Sequence, residues 1–448
     1  MSLTQDLGRF VANVSFERLP AEAADVARIG FIDCIATMIA GARDPAPQLL
    51  RKALQPGGGD ATLYFTGEHA PAPEAAWVNG TAGHALDYDD VASLRGHPST
   101  VLVPAILAEG EALGVSGRDM LAAYVAGYET WAELAWRDPG HHHRKGWHPT
   151  GIFGPIGAAA ACASLRHLDA QRATSALALA ASQSSGVMAN FGTMTKPFHA
   201  GRSAHSGLIA ARLAEIGFTA SPDALEHPQG FLSAVSPAGE VDRESRADTL
   251  GKQWRIVKCR LGIKKYPACY CTHRALDAML ELLAHRPIKA EEIARIVVSL
   301  SDTHSLILRN HRPQTGLEAK FSMEFAMATA VIVRRAGLAE YSDSFVRRSD
   351  VQDLMRRVVI ETNQNYDPEV SGASAWDQVR VDLAAGGTIE SEKVRRAKGH
   401  ADRPLNEGEL FEKFRTCLDA GGAKIAPDVL FERLKHLEEL SARELTRV

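Results

Sequence analysis

Small residues crowd three long stretches of this 448-residue chain, and they constrain its fold more than any other feature. Residues 150–168, 173–191 and 201–216 are dominated by Ala, Gly and Ser, as in Ala158-Ala159-Ala160-Ala161-Cys162-Ala163. Side chains of this size let helix backbones approach closely, so these stretches suit a tightly packed bundle interior. The plainer reading is high helix propensity and nothing more. The first 265 residues read as helix after helix. Leu19-Pro20-Ala21-Glu22 places Pro just inside a helix start with an acid in the first turn, and that helix runs to Gly41. Its most apolar part, residues 29–40, contains Asp33 and is too short to span a bilayer, so it reads as a buried helix. Ser116-Gly117-Arg118-Asp119 precedes another helix, which continues to Leu134.

The character changes after about residue 265. Residues 293–300 and 357–362 are candidate strands rich in β-branched residues. Residues 378–383 alternate Val with polar residues, turn at Ala384-Ala385-Gly386-Gly387 and return through 388–394, which is a hairpin signal. Helical patterns at 272–285 and 321–336 lie among these strands. Beyond Arg403-Pro404 the chain turns helical again, with Asn406 as a cap and Pro427 as the start of the last helix. Two short helices cannot bury their own apolar face, so the tail is expected to pack back on the first domain. The expected organisation is mainly α: a large all-helical domain from residues 1–265 plus 399–448, and a smaller α+β lid domain over 266–398.

Composition excludes several classes. Hydrophobic residues make up 45% and charged residues 23%, which argues against disorder. The net charge of −4 gives no footprint for nucleic acid or an anionic membrane. Residues 1–20 have no continuous apolar run, so no secretory signal is expected. Six cysteines are too few for a disulfide scaffold and suit reduced thiols in the cytoplasm.

Four segments carry candidate chemistry. In Gly83-His84-Ala85-Leu86-Asp87-Tyr88-Asp89-Asp90, a helix holding Asp87 puts Asp90 and Val91 on its face and sends Asp89 elsewhere. The loop to Arg95-Gly96-His97-Pro98-Ser99 is short enough to bring His97 back to Asp87, where a carboxylate fixes the imidazole tautomer and raises its basicity. The plainer alternative is an acidic helix end followed by a loop histidine. In the second segment, His141-His142-His143 reads as a solvated loop rather than a metal site, because consecutive residues rarely converge on one ion. His148, just before Pro149 and a Gly/Ala-rich helix, can face an anion at a helix N-terminus. Third, Asn190 to Gly201 reads as a linker between buried helices that brings Lys196 near the interior, where it needs an anion such as a substrate carboxylate. Fourth, Lys264-Lys265-Tyr266-Pro267 sits at the expected domain junction as an anion binder. Cys269, Cys271 and His273 lack a second pair at zinc spacing. There is no dinucleotide fingerprint, phosphate loop or nucleophile elbow.

Taken together, His84-Ala85-Leu86-Asp87-Tyr88-Asp89-Asp90, His97-Pro98-Ser99, Gly146-Trp147-His148-Pro149, Gly192-Thr193-Met194-Thr195-Lys196-Pro197 and Lys264-Lys265-Tyr266-Pro267 resemble the MmgE/PrpD family in order and spacing. That family includes 2-methylcitrate dehydratase, cis-aconitate decarboxylase and iminodisuccinate epimerase. The resemblance implies a helical domain with an α+β lid, a homodimer and an active site in the interdomain cleft. It carries over Asp87, His97, His148, Lys196 and Lys264 as site residues, with Lys265 as the fallback if the lysine register is off by one. Two departures stand out. Val91 replaces the hydroxyl residue that decarboxylase-like members place after the Asp-Asp pair, and Phe325 replaces a tyrosine common in the family. Both count against cis-aconitate decarboxylation, whereas Arg95-Gly96-His97-Pro98-Ser99 looks closer to the epimerase.

The implied chemistry needs no metal or organic cofactor. Lys196 and Lys264, helped by His148, hold a carboxylate of a small di- or tricarboxylate, and His97, oriented by Asp87, moves the neighbouring proton. Loss of water makes the chain a hydro-lyase of the 2-methylcitrate dehydratase kind, the first expectation. Reprotonation on the other face makes it an epimerase, and a non-catalytic metabolite-binding protein is the third alternative.

Overall fold

The computed structural model describes residues 2–92, 96–370 and 372–447. The chain divides into two compact units. The first comprises Met1–Asn190, Met194–Gly262 and Asn406–Val448, and the second Phe191–Thr193 with Ile263–Leu405. The architecture is mainly α, with small sheets only. No helix among the described residues is long and apolar enough to cross a membrane.

The small-residue stretches form the helices at the centre of the first unit. Helix Pro149–Leu165 is buried along its whole length, which only a nearly all-apolar, small-residue sequence tolerates. Pro155 lies inside it and cannot donate to Gly151 O; the Ser185 backbone N–H takes that acceptor at 3.2 Å. Helices Ala72–Ala85 and Thr195–Glu215 cross at two glycines. A Cβ on Gly80 would stand 2.8 Å from Gly201 Cα, and one on Gly201 would stand 2.1 Å from Trp77 O. That near-contact of backbones brings His84, one turn beyond Gly80, close to Lys196 and His199 just before Gly201.

Helix Ala21–Gly41 spans the expected residues, although Pro20 takes the cap position rather than the first helical one. Ser116 caps Gly117–Trp136 in a reciprocal box with Asp119, and Asn406 does the same with Glu409 for Glu407–Gly421. That late helix packs on Ala21–Gly41 so closely that a Cβ on Gly421 would meet Ile39 O at 2.3 Å. The end of the chain pairs with the start of helix Gly117–Trp136, where Gly117 N–H donates to Leu440 O at 2.6 Å and Ala442 N–H to Val115 O at 2.9 Å.

In the first unit a short antiparallel pair joins β1 (Ala61–Leu63) to β2 (Glu68–Ala70). The second unit holds β3 (Ile293–Ser301), β4 (Val358–Asn363), β5 (Gln378–Leu383) and β6 (Thr388–Glu390) in the order β4-β3-β5-β6. β3 runs parallel to β4 and antiparallel to β5. The β5–β6 hairpin turns through Gly386 and Gly387, both at φ near 90°. Its return strand is shorter than the alternating pattern predicts. Val379 N–H goes to the Ser391 hydroxyl at 3.0 Å instead of a backbone carbonyl, and the ladder stops there. Helices His273–His285 and Met323–Val333 supply the apolar faces that the sheet packs against.

Candidate active site

The acidic motif is a turn and not the helix that its spacing predicts. Helix Ala72–Ala85 stops at Ala85, and Asp87 takes a left-handed φ of 50°. With the helix broken, residues 87 and 89 project on new directions. Asp89 turns inward and is fully buried. It lies between two imidazoles, with His84 Nδ1 2.9 Å from Oδ1 and His97 Nδ1 3.0 Å from Oδ2. This corrects the expected pairing: the carboxylate at His97 Nδ1 is Asp89, the residue that a helical reading sent elsewhere. The two rings stand 4.4 Å apart between centroids.

The electrostatics fix the protonation pattern. Burial alone would raise the pKa of Asp89, but His84 and then His97 outweigh it and hold the carboxyl well below its usual range. An ionised Asp89 accepts from both Nδ1 positions. His97 Nδ1 also faces the Asp90 carbonyl oxygen at 2.9 Å, a second acceptor. Nδ1 of His97 therefore carries the hydrogen, and Nε2 carries the lone pair in the neutral ring. His84 is fully buried, and burial pushes its pKa down to about 3 against the pull of Asp89. It stays neutral and presents Nε2 as an acceptor.

That acceptor receives Lys196. The ammonium sits 2.8 Å from His84 Nε2 and 2.9 Å from Asp87 Oδ1. Lys196 does not lie in a linker, as its Gly/Thr/Pro surroundings predict, but in the first turn of helix Thr195–Glu215. A cation there opposes the helix dipole, and Asp87 compensates from within the protein. His148 caps the start of helix Pro149–Leu165 without a side-chain cap bond. Its Nδ1 lies 3.1 Å from His199 Nδ1, and its ring stacks 5.9 Å from that of His84. Burial, followed by the Lys196 charge, holds His148 well below its ordinary pKa and brings His199 down to about 4.

Behind this turn, Asp90 accepts from the Ser99 hydroxyl at 2.5 Å, and Ser99 meets Tyr124 Oη at 2.7 Å. Burial, then Asp33, pushes the Asp90 carboxyl well above its ordinary pKa. Val91 pairs with Gly262 through both backbone groups, at 2.9 and 2.7 Å.

The histidine run is packed rather than solvated. His142 is buried with its ring edge-on to Phe153 at 5.0 Å, and burial drives the half-buried His143 down to about 3. Arg95 lies outside the described residues. Lys264 belongs to the second unit and is wholly buried, while Lys265 is half exposed with its ammonium 3.9 Å from Asp277. Phe325 is core: its ring meets Tyr341 at 5.1 Å and Phe345 at 6.3 Å.

Ligand atoms of His84, Asp87, Asp89 and His97 all lie within 4.8 Å of one another, a donor set that could hold a metal ion. Lys196 already binds two of the four, so an ammonium supplies positive charge among them. The site thus joins an oriented imidazole base to a buried cation, the combination needed to take a proton from carbon beside a carboxylate.

Residues 5–244 match the MmgE/PrpD N-terminal domain, and residues 266–427 match the MmgE/PrpD C-terminal domain. Among curated proteins, the cis-aconitate decarboxylase of Mus musculus is 28% identical over 84% of this chain and 78% of its own length. That of Homo sapiens is 28% identical over 83% and 77%. The cis-aconitate decarboxylase of Aspergillus terreus is 25% identical over 98% of this chain and 92% of its own. The two domain matches cover most of the chain, the second begins at the change in character after residue 265, and the chain belongs to the MmgE/PrpD family.

Proposed function

We propose that the chain is a cofactor-independent lyase that abstracts a proton next to a carboxylate of a small di- or tricarboxylic acid and eliminates water. The observation that carries this reading is Asp89 bridging His84 and His97 beside the Lys196 ammonium. His97 Nε2 takes the proton. The C–H electron pair moves into the carboxylate as an enediolate, stabilised by Lys196, with Lys264 in the carboxylate-binding role that the resemblance implies. The pair then forms the C=C bond as the C–O bond breaks, and the β-hydroxyl leaves as water with the proton returned by His97 Nε2. Electrostatic stabilisation must supply much of the acceleration, because proton transfer alone contributes about 10²–10⁴-fold. The resemblance also implies a homodimer, and the six cysteines suit the cytoplasm; light scattering coupled to gel filtration and fractionation of the source cells would test these.

A second reading is decarboxylation, favoured by the relatives named cis-aconitate decarboxylase. Val91 and Phe325 count against it, since neither offers a hydroxyl. The epimerase alternative rests on the Arg95-Gly96-His97-Pro98-Ser99 match, of which Arg95 lies outside the described residues. Incubation with four- to seven-carbon carboxylates in D₂O, followed by NMR, separates the outcomes. Alkene formation with water loss supports the dehydratase, and carbon dioxide release replaces it with the decarboxylase. Deuterium uptake at a stereocentre without net loss replaces it with the epimerase. The absence of turnover and exchange leaves a binding protein. In the active case His97→Gln is expected to lower kcat by about 10²–10⁴-fold while substrate still binds.

A further inference from the structure

The turn that carries the site is held from behind by a residue far along the chain. Tyr88 lies between Asp87, which meets Lys196, and Asp89, which meets the two imidazoles. The Tyr88 carbonyl accepts from Lys413 Nζ at 2.7 Å, and the same ammonium sits 4.1 Å from the Tyr88 ring centroid. Lys413 comes from helix Glu407–Gly421 and is 6% exposed. Its Nζ lies 2.6 Å from Asp33 Oδ1, inside helix Ala21–Gly41. All three residues belong to the first unit.

Two physical features make this contact more than packing. First, Asp87 at φ 50° occupies a backbone region that is costly for a non-glycine residue, so the surroundings must over-determine the turn. Second, a buried lysine on a buried aspartate is no better for stability than an apolar pair of the same volume. Burial raises the Asp33 pKa against the pull of Lys413, so the pair carries a desolvation cost. Neither argument for a lysine at this position rests on stability alone. What the ammonium adds is a fixed hydrogen bond to the peptide midway between two site carboxylates.

We infer that Lys413 is a positioning residue: by holding the Tyr88 carbonyl, it fixes Asp87 against Lys196 and Asp89 against His84 and His97. This inference rests on the proposed acid/base site but not on which product forms. A displacement of about 1 Å at reacting groups can cost on the order of 10²-fold in rate.

The test compares wild type with Asp33→Asn and with Asp33→Asn/Lys413→Met. The single variant keeps the donor on Tyr88, and the double variant removes both buried charges together. Histidines are labelled with ¹⁵N, and the His97 signals are identified by their loss in His97→Gln. The expected result is that Asp33→Asn keeps the wild-type His97 Nδ1 signal, whereas the double variant shifts it while remaining folded. On any carboxylate that turns over, kcat of the double variant falls 10- to 100-fold with KM within about threefold. Unchanged His97 signals in the double variant overturn the inference, as does an equal change in both variants. If the double variant does not fold, Asp33→Asn/Lys413→Leu, which likewise lacks a donor, is read by the same criteria. A protein that turns over none of the carboxylates fails the proposed reaction, yet the NMR comparison still decides the role of Lys413.

Discussion

Each unit buries a cation against an aspartate, and the two contacts are built differently. In the second unit Arg274 grips Asp377 with a fork, Nε to Oδ2 at 3.1 Å and Nη2 to Oδ1 at 2.7 Å. Its other donors go to Ser374 O at 2.8 Å and Ser374 Oγ at 3.1 Å, and Ser374 Oγ itself donates to Asp377 Oδ1 at 2.7 Å. The guanidinium is planar and its donors are committed, so the contact fixes helix His273–His285 to the chain entering β5. In the first unit Lys196 offers a compact ammonium shared between Asp87 and a neutral imidazole. An ammonium can rotate, exchange partners and turn toward an incoming anion. The same Coulombic attraction thus gives a fastener in one unit and, on the proposed function, a reactive centre in the other.

The strongest way to break that contrast is Asp89→Asn, which keeps volume and removes the charge between two imidazoles. The amide cannot accept equally from both Nδ1–H groups, so one ring loses its tautomer. We expect kcat to fall about 10²–10⁴-fold with little change in melting temperature. Steady-state kinetics on the carboxylate found by NMR would check it, and near-wild-type turnover would remove Asp89 from the mechanism. The matching change in the second unit is Arg274→Met. It strands a fully buried Asp377, and we expect a loss of about 3–5 kcal/mol in urea unfolding. If Arg274→Met leaves the unfolding midpoint unchanged, the fork is not a fastener and the comparison fails.

The distribution of chemistry types was legible to different degrees. Helix positions followed from small-residue content and caps, as at Ser116 and Asn406, because those signals are local. The change in character after residue 265 was readable because β-branched alternation and small-residue helices look different. The identities of His97, His148 and Lys196 as site candidates came from motif order. Their partners did not. Nothing in His84-Ala85-Leu86-Asp87 announces a helix stop, since no glycine or proline follows Ala85, and the left-handed Asp87 sits beside a tertiary contact, Lys413 on Tyr88, that no local pattern reveals. A helical reading therefore turned Asp89 outward. The motif order assigns His84 no role, and the Gly/Thr/Pro surroundings place His199 in a linker, although it lies on helix Thr195–Glu215. Their burial depends on the Gly80–Gly201 crossing, a contact between residues 121 positions apart that no local pattern reveals.

The pH dependence of stability sharpens the contrast further. His199 is 8% exposed, and its pKa is brought down to about 4 from an ordinary 6.5 by burial and then by Lys196. Between pH 6.5 and pH 4 the unfolded chain binds a proton at this position that the folded chain refuses. Stability therefore rises with pH across that window and falls on acidification. His199→Gln removes this linkage. Relative to the variant, wild type is expected to lose up to about 3 kcal/mol between pH 6.5 and pH 4, with no change in the difference above pH 7. Urea unfolding at several pH values measures it; parallel curves for the two proteins would mean that His199 takes up its proton in the folded state.

The smallest expected effect comes from chelation. Four ligand atoms within 4.8 Å, from two histidines and two aspartates, would suit a divalent ion if the space among them held no cation. Lys196 brings its own positive charge to Asp87 Oδ1 and His84 Nε2. A divalent ion taking those two atoms would have to expel a buried ammonium, leaving it beside a dication in a low-dielectric site. Prolonged dialysis against EDTA is therefore expected to leave turnover within about 10–20% of the untreated protein, with substoichiometric metal by elemental analysis, since the repulsion at 4 Å is several kcal/mol at interior dielectric. Loss of activity restored by one divalent ion would invert the reading: Lys196 would then be a displaced guest, and the first unit's cation would be a metal after all. The Arg274 fork offers no such vacancy to contest, because its carboxylate oxygens are already held by a rigid guanidinium and a serine hydroxyl.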